Sequence, residues 1–318
     1  MGAHHNHRHS HAHGRPTGKI LIASLILTIV FVAAEAVAGW WSNSLALLSD
    51  AGHNFTDAFG LVLAATAYYL EARPGDQVQT YGYQRTGVLA AFVNALMLVG
   101  ISVFLLWESY RHLMAPEAIR EDVMLWMAAI GIVVNLVIAW GLLGHGGDLN
   151  IRAAFLHQIG DAASCVAIII GALVIRATGW LAIDPLLSIL ISLVIIWTAW
   201  DIFKDSLNIL LEGLPKDLNL EDVSRRICGV AGVEGVHDLH IWSLGSQDRA
   251  LSAHLVIADV PPSESDSILR KVNGMLGEQF SISHTTIQFE HRGCELADAA
   301  CGPGRHAGAA HSHADSAS

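Results

Sequence analysis

Charge is scarce in this chain. Only 15% of its 318 residues are Asp, Glu, Lys or Arg, against about 25% in an ordinary soluble domain. The balance is acidic, with a formal net charge of −11 and a sequence pI near 5.8. No stripe of clustered Lys and Arg offers the counter-charge that phosphate backbones require, so nucleic acid is excluded as a partner. Cysteine is equally scarce: Cys165, Cys228, Cys294 and Cys301 show no C-x-x-C spacing. Neither a disulfide framework nor a zinc ribbon is implied, and single thiols are expected. There is no H-E-x-x-H, the pairing of ligands and general base that zinc proteases use. No small-residue cleavage site follows the first apolar stretch, where Trp40 and Trp41 come next, so that stretch is expected to be retained.

What is present is apolar surface. Hydrophobic residues make up 53% of the chain and the mean hydropathy is +0.44, which excludes both an ordinary soluble domain and a disordered chain. The excess lies in residues 20–203, whereas residues 205–295 have the composition of a soluble domain. A helix needs about 20 apolar residues to cross a bilayer. Six stretches qualify, at 20–40, 45–70, 87–107, 123–143, 152–175 and 183–203. An even number puts both ends on one side. Arg8, Arg15, Lys19, Arg73, Arg85, Arg152, Lys204 and Lys216 lie on the side of the termini, against Arg111, Arg120 and Arg176 opposite. That bias places both termini in the cytoplasm.

Beyond the last span, Asn219–Gly229 has helical spacing, Glu234–Leu244 and Ala250–Ala258 alternate, Ser263–Gln279 is helical and Thr285–Glu290 alternates again. This αββαβ order predicts a two-layer α+β domain. The expected fold class is therefore membrane α-helical, six transmembrane helices followed by a cytoplasmic α+β domain. The expected division is a His-rich disordered tail at 1–18, the membrane domain at 19–204, the cytoplasmic domain at 205–294 and a second disordered tail at 295–318. His4, His5, His7, His9, His11 and His13 crowd the first tail, and His306, His311 and His313 the last. Interruption by Asn6, Arg8, Ser10 and Ala12 argues against a purification tag and leaves a solubilising tail or a weak metal collector.

Ionisable residues inside a span are costly unless they face partners or water, so each is a functional candidate. In the second span, Ser49 to Asp57 carries His53 and Asp57 four residues apart, on one helix face and one turn from each other. The fifth span repeats the pattern with His157 and Asp161. One such pair could be a packing hydrogen bond, but two matched pairs on separate helices are harder to dismiss. Together they present two imidazoles and two carboxylates, a set that suits tetrahedral zinc. Asp50 reads either as a carboxylate supporting a ligand or as a helix-end charge, and Asn54 as a group that could orient a ligand. Glu35 and Asn135 read as buried, hydrogen-bonded groups between helices. Asp184, before Pro185, reads as a charge at a helix N-terminus.

In the soluble region His237 and His240 flank the end of one predicted strand, His254 lies on the next, and His284 and Glu290 share a face of the last. Imidazole and carboxylate are suitable ligands; the alternative is the polar face of a small sheet.

At these residues the chain resembles the cation diffusion facilitator family, specifically its bacterial zinc exporters. The likeness covers about residues 18–295 and rests on six ordered motifs: Ser44 through His53 to Asp57, Leu89 to Ala95, His157 to Asp161, Leu210-Leu211-Glu212-Gly213, His237 to Trp242, and Thr285 to Glu290. The resemblance implies a homodimer in the bacterial inner membrane, multi-pass, with a ferredoxin-like cytoplasmic domain that binds metal at the dimer interface. It places the transport ligands on His53, Asp57, His157 and Asp161, and points to His237, His254 and Glu290 in the cytoplasmic domain, with His284 and His240 as lesser candidates. Some relatives carry a further metal site between the second and third helices. Residues 71–86 contain Glu71 and Asp76 but no His, so none is expected here.

The expected function is efflux of a divalent cation, Zn²⁺ foremost and Cd²⁺, Co²⁺ or Ni²⁺ besides, in exchange for protons by alternating access. No prosthetic group is expected, and Zn²⁺ serves as substrate and regulatory ligand. The competing readings are a membrane-anchored metal sensor and an intramembrane metalloenzyme. The second lacks both a general-base motif and an open ligand position.

Overall fold

The computed structural model describes residues 16–143, 149–245 and 248–291, with side chains of 16–23, 142–143 and 149–154 left aside. The His-rich stretches, the Gly144–Gly147 joint with His145, Cys294 and Cys301 lie outside the described residues. The chain divides into two compact units, one of residues 1–65 and 91–203, the other of residues 66–90 and 204–318.

Six long helices come first: α1 (Pro16–Ser42), α2 (Leu45–Glu71), α3 (Thr86–Met114), α4 (Glu121–Leu143), α5 (Leu149–Thr178) and α6 (Ile183–Leu210). All but α2 contain segments long and apolar enough to cross a membrane. The 27 residues of α2 span about 40 Å at 1.5 Å per residue, so length is not what sets it apart. Asp50, His53, Asn54 and Asp57 lower its hydropathy, and these are the residues that make it functionally interesting. Helices α3 and α6 run seven residues past the expected apolar spans, to Met114 and Leu210. Helix α5 stops at Gly179, whose φ of +70° a residue with a Cβ adopts only at a cost.

Within the first unit Phe31, Leu47, Met124, Ala128, Cys165, Ile168 and Ala172 form a buried core. The outer faces are apolar too: Trp40, Trp126, Trp140 and Trp197 are each at least 74% exposed. Helices hydrophobic all round belong in lipid.

Asp184 is completely buried at the start of α6, yet the N-terminus it serves is that of α2. Its carboxylate accepts from Ser44 Oγ and Leu45 N, both at 2.6 Å, and from Ala46 N at 3.3 Å. It therefore satisfies amides that the first turn of α2 leaves without helical partners. We expect Asp184→Ala to strand these buried donors and destabilise the protein by about 1–3 kcal/mol, read as a lowered thermal midpoint in detergent. An unchanged midpoint would remove Asp184 from this role.

The second unit contains α7 (Leu220–Cys228), β1 (Val233–Ser243), β2 (Arg249–Ile257), α8 (Pro262–Phe280) and β3 (Ile282–Glu290). The predicted αββαβ order is thus observed. Strand β1 pairs antiparallel with β2, and β2 parallel with β3. Asn219 caps α7 by accepting from Glu221 N at 2.8 Å, and Pro262 starts α8 where its missing N–H costs nothing. Val223 and Ile227 of α7 and Val272 and Leu276 of α8 cover the apolar face of the sheet, with Leu251, Leu255 and Ile257 in its middle. Arg249 clamps Asp217 through both carboxylate oxygens, at 2.9 and 2.7 Å. That guanidinium holds the Asp217 carboxyl below its ordinary range.

The connection between α2 and α3 belongs to this second unit. Arg85 pairs with Glu212 at 2.9 Å, Gln84 lies against Gly245, and Tyr81 sets its ring edge-on to His284 at 5.2 Å. Cys165 is a free buried thiol, as the cysteine spacing suggested, whereas Cys228 is disulfide-bonded, which that spacing did not suggest.

Candidate metal centre

Helices α2 and α5 bring their two His-x-x-x-Asp pairs together. His53 Nε2 lies 3.4 Å from Asp57 Oδ2 and 3.9 Å from Asp161 Oδ1. His157 Nε2 lies 3.0 Å from Asp57 Oδ2 and 3.5 Å from Asp161 Oδ2. The two rings meet edge to face, 5.8 Å apart. Each imidazole therefore sits between two carboxylates, and each carboxylate between two imidazoles. Four ligands about 2.0–2.1 Å from a tetrahedral zinc are roughly 3.3 Å from one another, close to these four imidazole–carboxylate spacings, although Asp57 lies outside the group whose ligand atoms are all mutually near. His157 Nε2 and Asp57 Oδ2, at 3.0 Å, are the closest of these four contacts.

His53, His157 and Asp161 offer ligand atoms that all lie within 4.8 Å of one another, and Asp57 joins them through its contacts with both rings. Asp161 is nearly buried, at 6% side-chain exposure, whereas His157 is the open member at 41%.

The sheet of the second unit carries a second cluster. His237 and His254 are direct cross-strand partners with rings 5.2 Å apart. Glu290 reaches both: Oε2 lies 3.1 Å from His237 Nε2, and Oε1 lies 3.0 Å from His254 Nδ1. Both ring nitrogens of His237 are buried without hydrogen bonds. These three residues also meet within 4.8 Å.

The two lesser candidates fall elsewhere. His284 does share the face of Glu290, but six residues along a strand is about 20 Å, and its ring meets Tyr81 instead. A bulge in β1 between His237 and His240 inserts one extra residue, which returns His240 to the face of His237 despite the odd spacing. There its Nε2 lies 3.1 Å from Asp238 Oδ1. Asp238 itself was not anticipated: at φ 51° in the bulge, it sets Oδ2 3.9 Å from His254 Nε2. Only an Asp beside two His hinted at it, because a bulge is invisible to strand periodicity.

Residues 21–211 match the family described as the cation efflux transmembrane domain. The chain belongs to the cation efflux family. Residues 215–292 match the description "Cation efflux protein, cytoplasmic domain", so both parts of this cation efflux protein are accounted for, and the cation diffusion facilitator motifs are those of its own family. It is 40% identical over 301 residues to the "Metal cation efflux system protein CzcD" of Cupriavidus metallidurans, covering 94% of each chain. It is 39% identical to the "Cadmium, cobalt and zinc/H(+)-K(+) antiporter" of Bacillus subtilis, over 90% of this chain and 91% of that one. With the "Zinc transporter ZitB" of Escherichia coli it shares 37% identity, over 94% and 95% of the two chains. The solved "Metal-bound C-terminal domain of the CzcD transporter from Cuprividus metallidurans" is 38% identical, with 23% of this chain and 99% of that one covered and a TM-score of 0.21. This cation efflux protein is thus a multi-pass membrane transporter of metal cations rather than an enzyme, and metal is its cargo, not a prosthetic group.

Proposed function

We propose that this protein exports Zn²⁺ from the cytoplasm in exchange for protons, with His53, Asp57, His157 and Asp161 as the transport ligands. The observation that carries the reading is the ring of alternating imidazoles and carboxylates with ligand atoms 3.0–3.9 Å apart. Zinc binds neutral His and ionised Asp only, so metal entry expels protons and proton entry expels metal. Imidazole changes charge in the pH range of living compartments, which suits it to the exchange. Alternating access then needs the set to face each side in turn, with the bound ion shifting the balance of states. Zinc, cadmium and cobalt stand in the names of the relatives, and imidazole with carboxylate accepts all of these and Ni²⁺.

The Lys and Arg bias places both termini in the cytoplasm of a bacterial inner membrane. His237, His254 and Glu290 form a regulatory zinc site of a homodimer, with one coordination position left for a further ligand. We expect full-length Glu290→Gln to bind about one metal fewer per chain at equilibrium and to need more zinc for half-maximal flux, while its maximal rate stays near wild type. Undiminished metal binding would remove Glu290 from the site.

The deciding experiment is metal flux in reconstituted vesicles under an imposed pH gradient, taken metal by metal. Zinc movement that alkalinises or acidifies nothing would end the antiport reading. Zinc binding without any flux would favour the sensor.

A further inference from the structure

The four ligands are not equally open on their two sides. Between α2 and α5 they meet as His53 with Asp161 and as Asp57 with His157, at 3.9 and 3.0 Å. The first edge is the more buried, with side-chain exposures of 25% and 6%, whereas the second shows 26% and 41%. This open edge lies toward Glu71 along α2 and toward Leu149 along α5, the helix ends that the Lys and Arg bias gives to the cytoplasm.

Two amide oxygens flank it. Asn94 of α3 belongs to the motif Leu89 to Ala95, for which neither metal cluster has a use. Its amide lies against Gly60 of α2: a Cβ at that glycine would stand 2.9 Å from each of Cγ, Oδ1 and Nδ2. Gly60 comes three residues after Asp57, and positions 53, 57 and 60 share one helix face. Asn94 is therefore held about 4.5 Å further along α2 than Asp57, at 1.5 Å per residue. On α5, Gln158 follows His157 directly. Asn94 Oδ1 and Gln158 Oε1 are both buried and accept no hydrogen bond. Amides in a helix bundle ordinarily bond across to a neighbouring helix, and neither oxygen does so. A buried oxygen with nothing to accept is costly, and a protein that keeps one owes it a reason.

We propose that Asn94 and Gln158 form an entry position for the metal: their amide oxygens take a partly hydrated divalent cation at the open edge and release it to the four ligands. The assignment rests on the transport reading above and adds the step by which the ion reaches those ligands. A neutral carbonyl oxygen can replace a water of the ion's shell, but it suits zinc less well than imidazole does. That weakness fits a position the ion must leave, since passage needs binding strong enough to enter and weak enough to depart. The absence of a side chain at Gly60 then has a purpose. Glycine inside a helix costs stability, and here it makes room for the amide that meets the ion.

The test is zinc flux by the full-length protein in vesicles over a range of zinc concentrations, with an equilibrium zinc titration in detergent beside it. We expect Asn94→Leu to lower the initial slope of flux against zinc about tenfold, the lower end of what a group beside a metal ligand contributes, and Gln158→Leu to do likewise. Maximal flux, metal stoichiometry and equilibrium affinity stay near wild type, because the four ligands are untouched. Asn94→Asp keeps an oxygen in place and must retain the slope. Gly60→Ala must lower it as Asn94→Leu does, because the added methyl group meets only the end of the Asn94 side chain and displaces it. An unchanged slope in Asn94→Leu overturns the proposal. So does a slope that falls together with affinity and maximal flux, which is a structural effect, and so does an Asn94→Asp as slow as Asn94→Leu. Should Asn94→Leu aggregate, Gly60→Ala decides by the same slope. If wild type itself moves no zinc, the transport reading fails and the entry position with it.

Discussion

Zinc flux is expected to fall at least about a hundredfold in Asp57→Ala and in Asp161→Ala, with the protein still inserted and folded. Loss of a group that merely supports a ligand costs about 10–100-fold in metal affinity, so loss of a ligand should cost no less. Asp57 touches both imidazoles, at 3.4 and 3.0 Å, and Asp161 both at 3.9 and 3.5 Å. Either truncation therefore breaks two sides of the ring at once and, under the proposed exchange, removes a proton carrier. Because Asp161 is almost buried whereas Asp57 is a quarter exposed, Asp161→Asn is the matched control that keeps volume. Flux in vesicles, circular dichroism and elution volume together decide: transport retained by either Ala variant would sink the assignment of the ring.

At His53 the expected effect is on selectivity. His53→Asp keeps a ligand but replaces an imidazole nitrogen by a harder carboxylate oxygen, leaving one His and three Asp with one more negative charge. The shorter side chain also withdraws the ligand atom from the 3.4–3.9 Å contacts that His53 makes with Asp57 and Asp161, so the cavity widens. We expect measurable transport with the cadmium-to-zinc flux ratio raised several-fold, whereas His53→Ala loses most flux for both metals. Proton competition should move toward acid, because a free carboxyl titrates near 3.9 and a free imidazole near 6.5. Measuring both fluxes against pH separates the cases. An unchanged metal ratio would mean that His53 does not determine which ion enters.

Much of this was legible in the sequence, because hydrophobic length, the helical period and the cost of charge in lipid are local properties. Six long helices, the αββαβ order behind them and the two His-x-x-x-Asp pairs all follow from residues within one element, and a pair four apart shares a face in any helix. His237, His254 and Glu290 were singled out by the resemblance to the cation diffusion facilitator family; strand parity by itself put only His284 and Glu290 on a common face.

What only the tertiary structure decided concerns which faces meet and where regularity breaks. That Asp184 binds the first amides of α2 depends on the crossing of two helices 139 residues apart in sequence. His284 and Glu290 have the same parity, yet strand length carries them apart, while a single inserted residue in β1 puts the exposed His240 on the face of His237 and brings Asp238 beside His254. Glu35 looked like any polar residue that finds a partner in a helix bundle. It finds Asp50 and Asn54 of α2, and which residues these would be depends on how α1 packs against α2, which no local pattern states.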